Sequence, residues 1–271
     1  GVSGAVVEFV VFGLKQAWGC LFGGGLLGNM ILTALLWPEA APIERYDFLF
    51  LAALSIQAAL LAFKLETPRE ALVILVFHLV GTAMELFKTS AGSWIYPEEA
   101  FFRIMGVPLF SGFMYAAVGS YIARITRIFD MRYTDYPSLA ATVVLAVAIY
   151  VNFFTHHFVF DARWGLFAFA FVLFRKTRVH YRVFRGRHQM RLLVGFLLVA
   201  LFIWFAENIA TWSRAWIYPS QADGWTPVSL SKLGAWYLLM IISFVLESVV
   251  RRPAASAQKP ETALGKHDAE V

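Results

Sequence analysis

Two acidic side chains, Glu85 and Glu207, lie in apolar surroundings, and the same residues follow each at the same spacing. The first copy reads Glu85, Thr89 and Trp94-Ile95-Tyr96-Pro97. The second reads Glu207, Thr211 and Trp216-Ile217-Tyr218-Pro219, an offset of 207 − 85 = 122 residues. An ionised carboxylate in hydrocarbon costs at least ~2.5 kcal/mol, so two at matching positions call for a shared cavity or dedicated partners. If both face one axis across a low-dielectric gap, they cannot both ionise cheaply. One proton is then shared, which is the state an acid–base pair needs. The structural alternative is a repeated clamp, in which each Glu accepts hydrogen bonds from neighbouring helices or pairs with Lys88 or Arg214.

His78 precedes Glu85 by seven residues and Thr82 falls between, so on a helix all three share a face that Thr89 continues. The second copy carries Ala200 and Trp204 instead. Hydrogen bonds from His78 and Thr82 would favour ionised Glu85 and leave Glu207 as the acid; the bland alternative is His78 as hydrogen-bonded filler. His156 and His157 close another apolar segment, with Asp161 and Arg163 just beyond. One of the pair can serve as a proton donor or acceptor. Adjacent histidines diverge on a helix and no His-x3-His spacing is present, so no metal is assigned. Trp94, Tyr96, Trp216 and Tyr218 fit an interfacial aromatic belt; alternatively, with Thr89 and Thr211, they line a substrate site. Cys20 is the single cysteine, which excludes an intrachain disulfide. Phosphate-loop, dinucleotide, nucleophile-elbow and CxxC motifs are absent, and the cofactor is left unknown.

The elements that must position these residues are apolar and long. Hydrophobic residues make up 59% of the chain and charged residues 15%, against roughly 45–50% and 25% in soluble domains. Eight apolar segments are expected, at about 10–37, 46–63, 70–88, 107–123, 138–155, 162–174, 190–212 and 230–250. The first carries Gly19, Gly23, Gly24, Gly25 and Gly28, read as a helix-packing face. A signal peptide is the rival reading; the missing basic n-region and the length of the segment argue against it. Gly106, Pro108 and Gly112 suggest a bent or re-entrant start to the fourth segment. The expected fold is an all-α polytopic membrane bundle of about eight transmembrane helices in two parallel four-helix repeats. They span residues 1–137 and 138–250, with a disordered cytoplasmic tail at 251–271.

Of the 23 Lys and Arg, 17 fall on one side of this alternation: Lys15, Lys64, Arg69, Arg124, Arg127, Arg132, the run from Arg175 to Arg191, and the tail. The positive-inside rule then places both termini in the cytoplasm. The net charge of +5 is thus a topology signal. The basic run reads as an anchor against anionic lipid, and membrane lipids rather than nucleic acid are the expected partners.

The segments His78–Tyr96, Val107–Tyr121, Tyr150–His157 and Trp216–Leu239 resemble the YoaT-like family of bacterial membrane proteins, which is grouped by a domain of unknown function. The marks are Glu85 with Gly92-Ser93-Trp94-Ile95-Tyr96-Pro97, Asn152-Phe153-Phe154-Thr155-His156-His157, and Glu207-Asn208 with Trp216-Ile217-Tyr218-Pro219-Ser220-Gln221. The resemblance implies a multi-pass protein of the bacterial inner (plasma) membrane and brings no activity. A Glu followed by a Gly and Trp/Tyr segment also resembles carotenoid-processing membrane cyclases and hydratases. Two function classes follow: an intramembrane enzyme acting on a lipid or isoprenoid, and a small-solute or proton-coupled transporter. A structural scaffold is the third reading.

Overall fold

The computed structural model describes residues 2–251. The expected disordered tail therefore lies outside the described residues, apart from Arg251. Nine α-helices make up most of the described chain: α1 (Val2–Gly19), α2 (Leu21–Leu36), α3 (Arg45–Ala62), α4 (Pro68–Ser90), α5 (Phe110–Ile128), α6 (Leu139–Thr155), α7 (Arg163–Phe174), α8 (Leu192–Trp212) and α9 (Ser231–Arg251). Four of them, α3, α4, α8 and α9, are long and apolar enough to cross a membrane; the bent pair α1–α2 raises the number to five, and α6 and α7 are shorter apolar helices. Their outward faces carry large apolar residues, among them Leu72, Leu75 and Leu79 on α4 and Leu197, Leu198, Phe202 and Phe205 on α8. Water would penalise such faces and lipid would not.

The first apolar segment differs from the expected single span. It breaks at Cys20, and α1 turns 72° away from α2. Lys15 holds α1 in that direction by donating to the carbonyls of Ile128 and Arg182. Part of the glycine face packs as expected: a β-carbon at Gly19 would meet Ile125 and one at Gly23 would meet Ala117, whereas Gly24 and Gly28 face open space.

Capping and turn chemistry set the other boundaries. Thr67 and Glu70 form a reciprocal capping box at the start of α4, with Pro68 as its first residue. Between α4 and α5 the chain forms a short antiparallel hairpin, β1 (Arg103–Ile104) with β2 (Val107–Pro108). Met105 and Gly106 both have positive φ, as a type I′ two-residue turn demands. Gly106 and Pro108 thus belong to this hairpin, and the expected re-entrant start is replaced by it.

The helices pack pairwise. α4 lies against α5 and α8 against α9; α2 lies against α3 and α6 against α7; α5 meets α9 between them. Two buried clusters result. One is centred on Phe22, Leu26, Leu49, Phe77, Phe110 and Phe113, the other on Leu145, Ile149, Phe174, Phe196, Ile241 and Phe244. At one end of the bundle the loops 37–44, 91–109, 156–162 and 213–230 gather. Asp47 accepts the backbone N–H groups of Phe101 and Phe102 there, each at 2.8 Å. The buried Arg45 guanidinium donates to the Ser213 and Arg214 carbonyls at the end of α8 and pairs with Glu98, supplying a cation where a helix exposes unpaired carbonyls. The opposite end holds a three-stranded antiparallel sheet, β3 (Arg132–Thr134), β4 (Arg178–Arg182) and β5 (Arg187–Arg191). The buried Glu66–Arg124 pair (2.7 Å) and the Glu70–Arg127 pair (2.9 Å) lie at that end too.

Candidate functional site

Both glutamates are buried near the loop-rich end, one turn or so before the ends of α4 and α8. Glu85 is ringed by donors. Its Oε2 accepts from the Trp94 indole at 2.7 Å and from the Tyr96 hydroxyl at 2.5 Å; its Oε1 accepts from the Tyr115 hydroxyl at 2.8 Å. Trp94 and Tyr96 come from the loop after α4, and Tyr115 from α5. Tyr115 reaches Glu85 because Gly81 leaves room for its ring; a β-carbon at Gly81 would lie 2.7 Å from it. Glu207 has a parallel set: the Tyr218 hydroxyl donates to Oε1 and the Trp236 indole to Oε2 at 2.7 Å. Tyr218 follows its Glu by the same interval as Tyr96 follows Glu85, and Trp236 sits on α9 much as Tyr115 sits on α5.

The two clusters touch. Ile95 and Ile217, equivalent residues of the repeated motif, exchange both backbone hydrogen bonds, at 2.8 and 2.9 Å. Trp94 and Tyr218 meet edge to face with centroids 6.3 Å apart. Burial first, then the neighbouring carboxylates, hold the Tyr96 and Tyr218 phenols well above their ordinary range, so both remain donors.

Beside the second cluster an open cleft of about 380 Å³ is lined by Tyr218, Ser220, Gln221, Val228, Ser229 and Lys232. The Lys232 ammonium stands 4.5 Å from the centre of the Tyr218 ring. Lys88, buried at the end of α4, lies over the Phe153 ring at 4.0 Å and 3.0 Å from His157 Nε2. Lys88 and Lys232 thus form a cationic rim next to the two carboxylate clusters.

The remaining expected residues fall around this centre. Thr211 accepts from the Trp225 indole at 3.1 Å, and Trp216 is buried in the core. Thr89 Oγ1 is buried without a hydrogen-bond partner among the described residues. His157 joins the rim through Lys88. Burial first, then the Lys88 charge and His156, push His157 below its ordinary value. His156 is turned back onto the Asn152 carbonyl at 3.0 Å. Asp161 lies below the ordinary carboxylate range: against the opposing effect of burial, Asn152 and the Arg163 N–H donate to it and the Arg163 charge stabilises it. His78 does not reach Glu85. It stacks on Phe113 at 4.2 Å, and Thr82 donates to the His78 carbonyl. The expected bonds from His78 and Thr82 to Glu85 are therefore replaced by those from the two tyrosines and Trp94. The reason is close packing: a β-carbon at Gly112 would lie 2.4 Å from Thr82 Oγ1 and 2.5 Å from His78 Nδ1, so the backbone of α5 occupies that side. No group of three or more His, Cys, Asp or Glu placed to hold a metal ion occurs among the described residues.

Sequence reasoning missed Tyr115, Trp236 and the role of Lys232. The usable signal was the repeat itself. Each motif is followed by a further helix carrying a polar aromatic about 30 residues after the Glu, as the 85–115 and 207–236 separations show.

Fold and site together define a helical protein with helices suited to crossing a membrane and a doubled carboxylate–tyrosine–tryptophan cluster at one end. The chain belongs to the family described as "Protein of unknown function (DUF817)", whose model matches residues 8–244. It is 44% identical over 248 residues to the uncharacterized protein YoaT of Bacillus subtilis (strain 168), covering 92% of this chain and 93% of that protein. No solved structure matches.

Proposed function

We propose that the protein is an eight-span inner-membrane protein whose loop-rich end binds an amphipathic lipid, isoprenoids included, and acts on it by proton transfer. In this reading α2 to α9 are the eight crossings and both termini are cytoplasmic. α2–α5 and α6–α9 are the two parallel repeats. Exchanging the halves maps the α2–α8 contact onto α6–α4 and leaves α5–α9 in place. The reciprocal Ile95–Ile217 bridge is the contact expected on such a two-fold axis. The basic sheet end then faces the cytoplasm, in accord with the distribution of Lys and Arg.

The observation that carries the reading is an asymmetry between the two clusters. Three donors enclose Glu85, which suits a clamp. Glu207 has two, and its partner Tyr218 lines the open cleft beside Lys232. We assign Glu207 and Tyr218 as the proton-handling pair, with Lys232 and Lys88 as the cationic rim, neutral His157 as the acceptor that holds Lys88, and Trp216 and Thr211 as supporting residues. Glu85, Trp94 and Tyr96 hold the loop that braces them. A transporter has the two-fold arrangement in its favour but needs its site near the bilayer midplane, whereas these groups gather at one end.

The test compares lipid extracts of a deletion strain, by mass spectrometry, with the same strain carrying wild type or variants. Glu207→Gln keeps both hydrogen bonds in shape, since Tyr218 can turn to accept from the new amide, so it is expected to fold and to fail in restoring the lipid profile. Glu85→Gln is expected to restore it. Glu85→Ala leaves three buried donors unmet at about 1–3 kcal/mol each and is expected to lower folded protein sharply. Full restoration by Glu207→Gln would remove the proton-transfer assignment.

A further inference from the structure

The three-stranded sheet at the basic end has two unlike faces. Strand alternation and register place Tyr133, Val179, Tyr181, His188 and Met190 on one face. Val179 is buried, and Tyr133 packs against the second core cluster. The other face carries Arg132, His180, Arg178, Arg182, Arg187 and Arg191. Their register sets like charges directly opposite one another: Arg178 against Arg191 and Arg182 against Arg187. All five arginines are exposed. Directly opposed like charges destabilise a sheet, so this pattern weakens the fold unless an anion lies over it. Asp130 pairs with Arg132 and Arg187, but Arg178 and Arg191 have no carboxylate partner among the described residues. The stretch from Arg175 to Arg191 contains no acidic residue.

α1 packs from the other face of the sheet, where Glu8 lies 3.7 Å from His188 and Val11 and Phe12 share a cluster with Tyr181. Its inner side docks on the sheet: Glu8 accepts the backbone N–H groups of Phe184, Arg185 and Gly186 at the β4–β5 turn, and Val11 and Phe12 pack with Val183 and Phe129. Its outer side shows Val6, Phe9, Val10 and Leu14, with Phe9 77% and Leu14 66% exposed. Exposed Phe184 adds an apolar group at the turn. The arginine face and the apolar outer side of α1 therefore flank one small sheet at the same end of the bundle, a pairing of cationic and apolar groups suited to a membrane interface. Depth agrees. As a crossing, α7 has only 12 residues and rises about 18 Å against a ~30 Å hydrocarbon core, so it draws the start of β4 to the membrane surface.

We infer that the arginine face of the β3–β4–β5 sheet, with α1 on the sheet's other side, binds the headgroups of anionic phospholipids in the leaflet at that end. The planar, fork-shaped guanidinium groups match phosphate oxygens, and opposed pairs present two forks to one phosphodiester. A nucleic-acid surface is the poorer fit, because the arginine face carries no Phe, Tyr or Trp and its one ring, His180, is bonded to the Thr134 hydroxyl. The inference needs the membrane setting but not the Glu207 assignment.

The experiment uses the full chain in nanodiscs of phosphatidylcholine, with and without phosphatidylglycerol. Thermal midpoint and, by native mass spectrometry, the lipid retained on the protein are measured for wild type, Arg178→Gln/Arg191→Gln and a control, Arg103→Gln at the other end. Phosphatidylglycerol is expected to raise the wild-type midpoint, and salt to diminish the rise. The double variant is expected to retain phosphatidylglycerol about thirtyfold less well, yet to be at least as stable as wild type in pure phosphatidylcholine because the opposed charges are gone. A merely structural role would lower stability in both lipids. Equal retention by wild type and double variant would overturn the inference. So would tight, arginine-dependent binding of a short RNA with no preference between the two lipids.

Discussion

Lys88 and His157 show how a buried cation is accommodated without a carboxylate. The ammonium is a donor only, so it makes His157 Nε2 an acceptor, which requires a neutral ring. Protonation would remove that bond and set two positive charges 3.0 Å apart. The direction of the pH effect follows. His157 lies below its ordinary 6.5 in the folded chain, so the unfolded chain takes up the proton first. Stability from this contact is complete above 6.5 and is lost as the pH falls through the lower folded value. The thermal midpoint of the purified protein should therefore drop from neutral to mildly acid pH. His157→Gln, which offers an untitratable acceptor, should flatten the drop. Identical pH curves for the two proteins would show that other groups control it.

At the scale of elements, the α4–α5 pair positions the Glu85 cluster. Gly112 on α5 lies against the His78 carbonyl and the Thr82 hydroxyl, and Gly81 on α4 admits the Tyr115 ring. Gly112→Ala would press a methyl group into backbone as well as side chain, with an overpacking cost of about 1–3 kcal/mol. It should also loosen the Tyr115–Glu85 bond. Gly24→Ala, where nothing lies within 4 Å, should be neutral or should stabilise α2 by up to about 1 kcal/mol. Thermal unfolding of the two variants in one detergent separates the cases. Equal effects would mean that the helices can part without loss.

For the whole molecule, the decisive property is which end faces which compartment. Glu99 and Ser220 stand at the loop-rich end, and Gln189 stands on the sheet. In a Cys20→Ala background, single cysteines at 99 and 220 should react with an impermeant thiol reagent on intact cells, and one at 189 should react only after lysis. Labelling at 189 on intact cells, or at only one of 99 and 220, would break the parallel-repeat topology.

The sequence by itself determined the helical class and where along the chain the two buried carboxylates fall. Apolar composition and segment length forced long helices with lipid-like outer faces. The doubled Glu, Trp, Ile, Tyr and Pro spacing marked both carboxylates and both tyrosines, because a repeat preserves local spacing whatever surrounds it. Tertiary structure decided who meets whom. Helical periodicity correctly put His78, Thr82 and Glu85 on one side of α4, but the identity of the facing helix was not written there. Gly112 closed that side off from Glu85, and Gly81 let Tyr115 in from a helix 30 residues away. The same holds for the first apolar segment. Hydropathy made it one span, and only the long-range bonds of Lys15 and Glu8 to the sheet turn α1 aside. Local spacing carries information about a residue's own element, whereas partners drawn from distant elements are chosen by close packing, which a single segment cannot express.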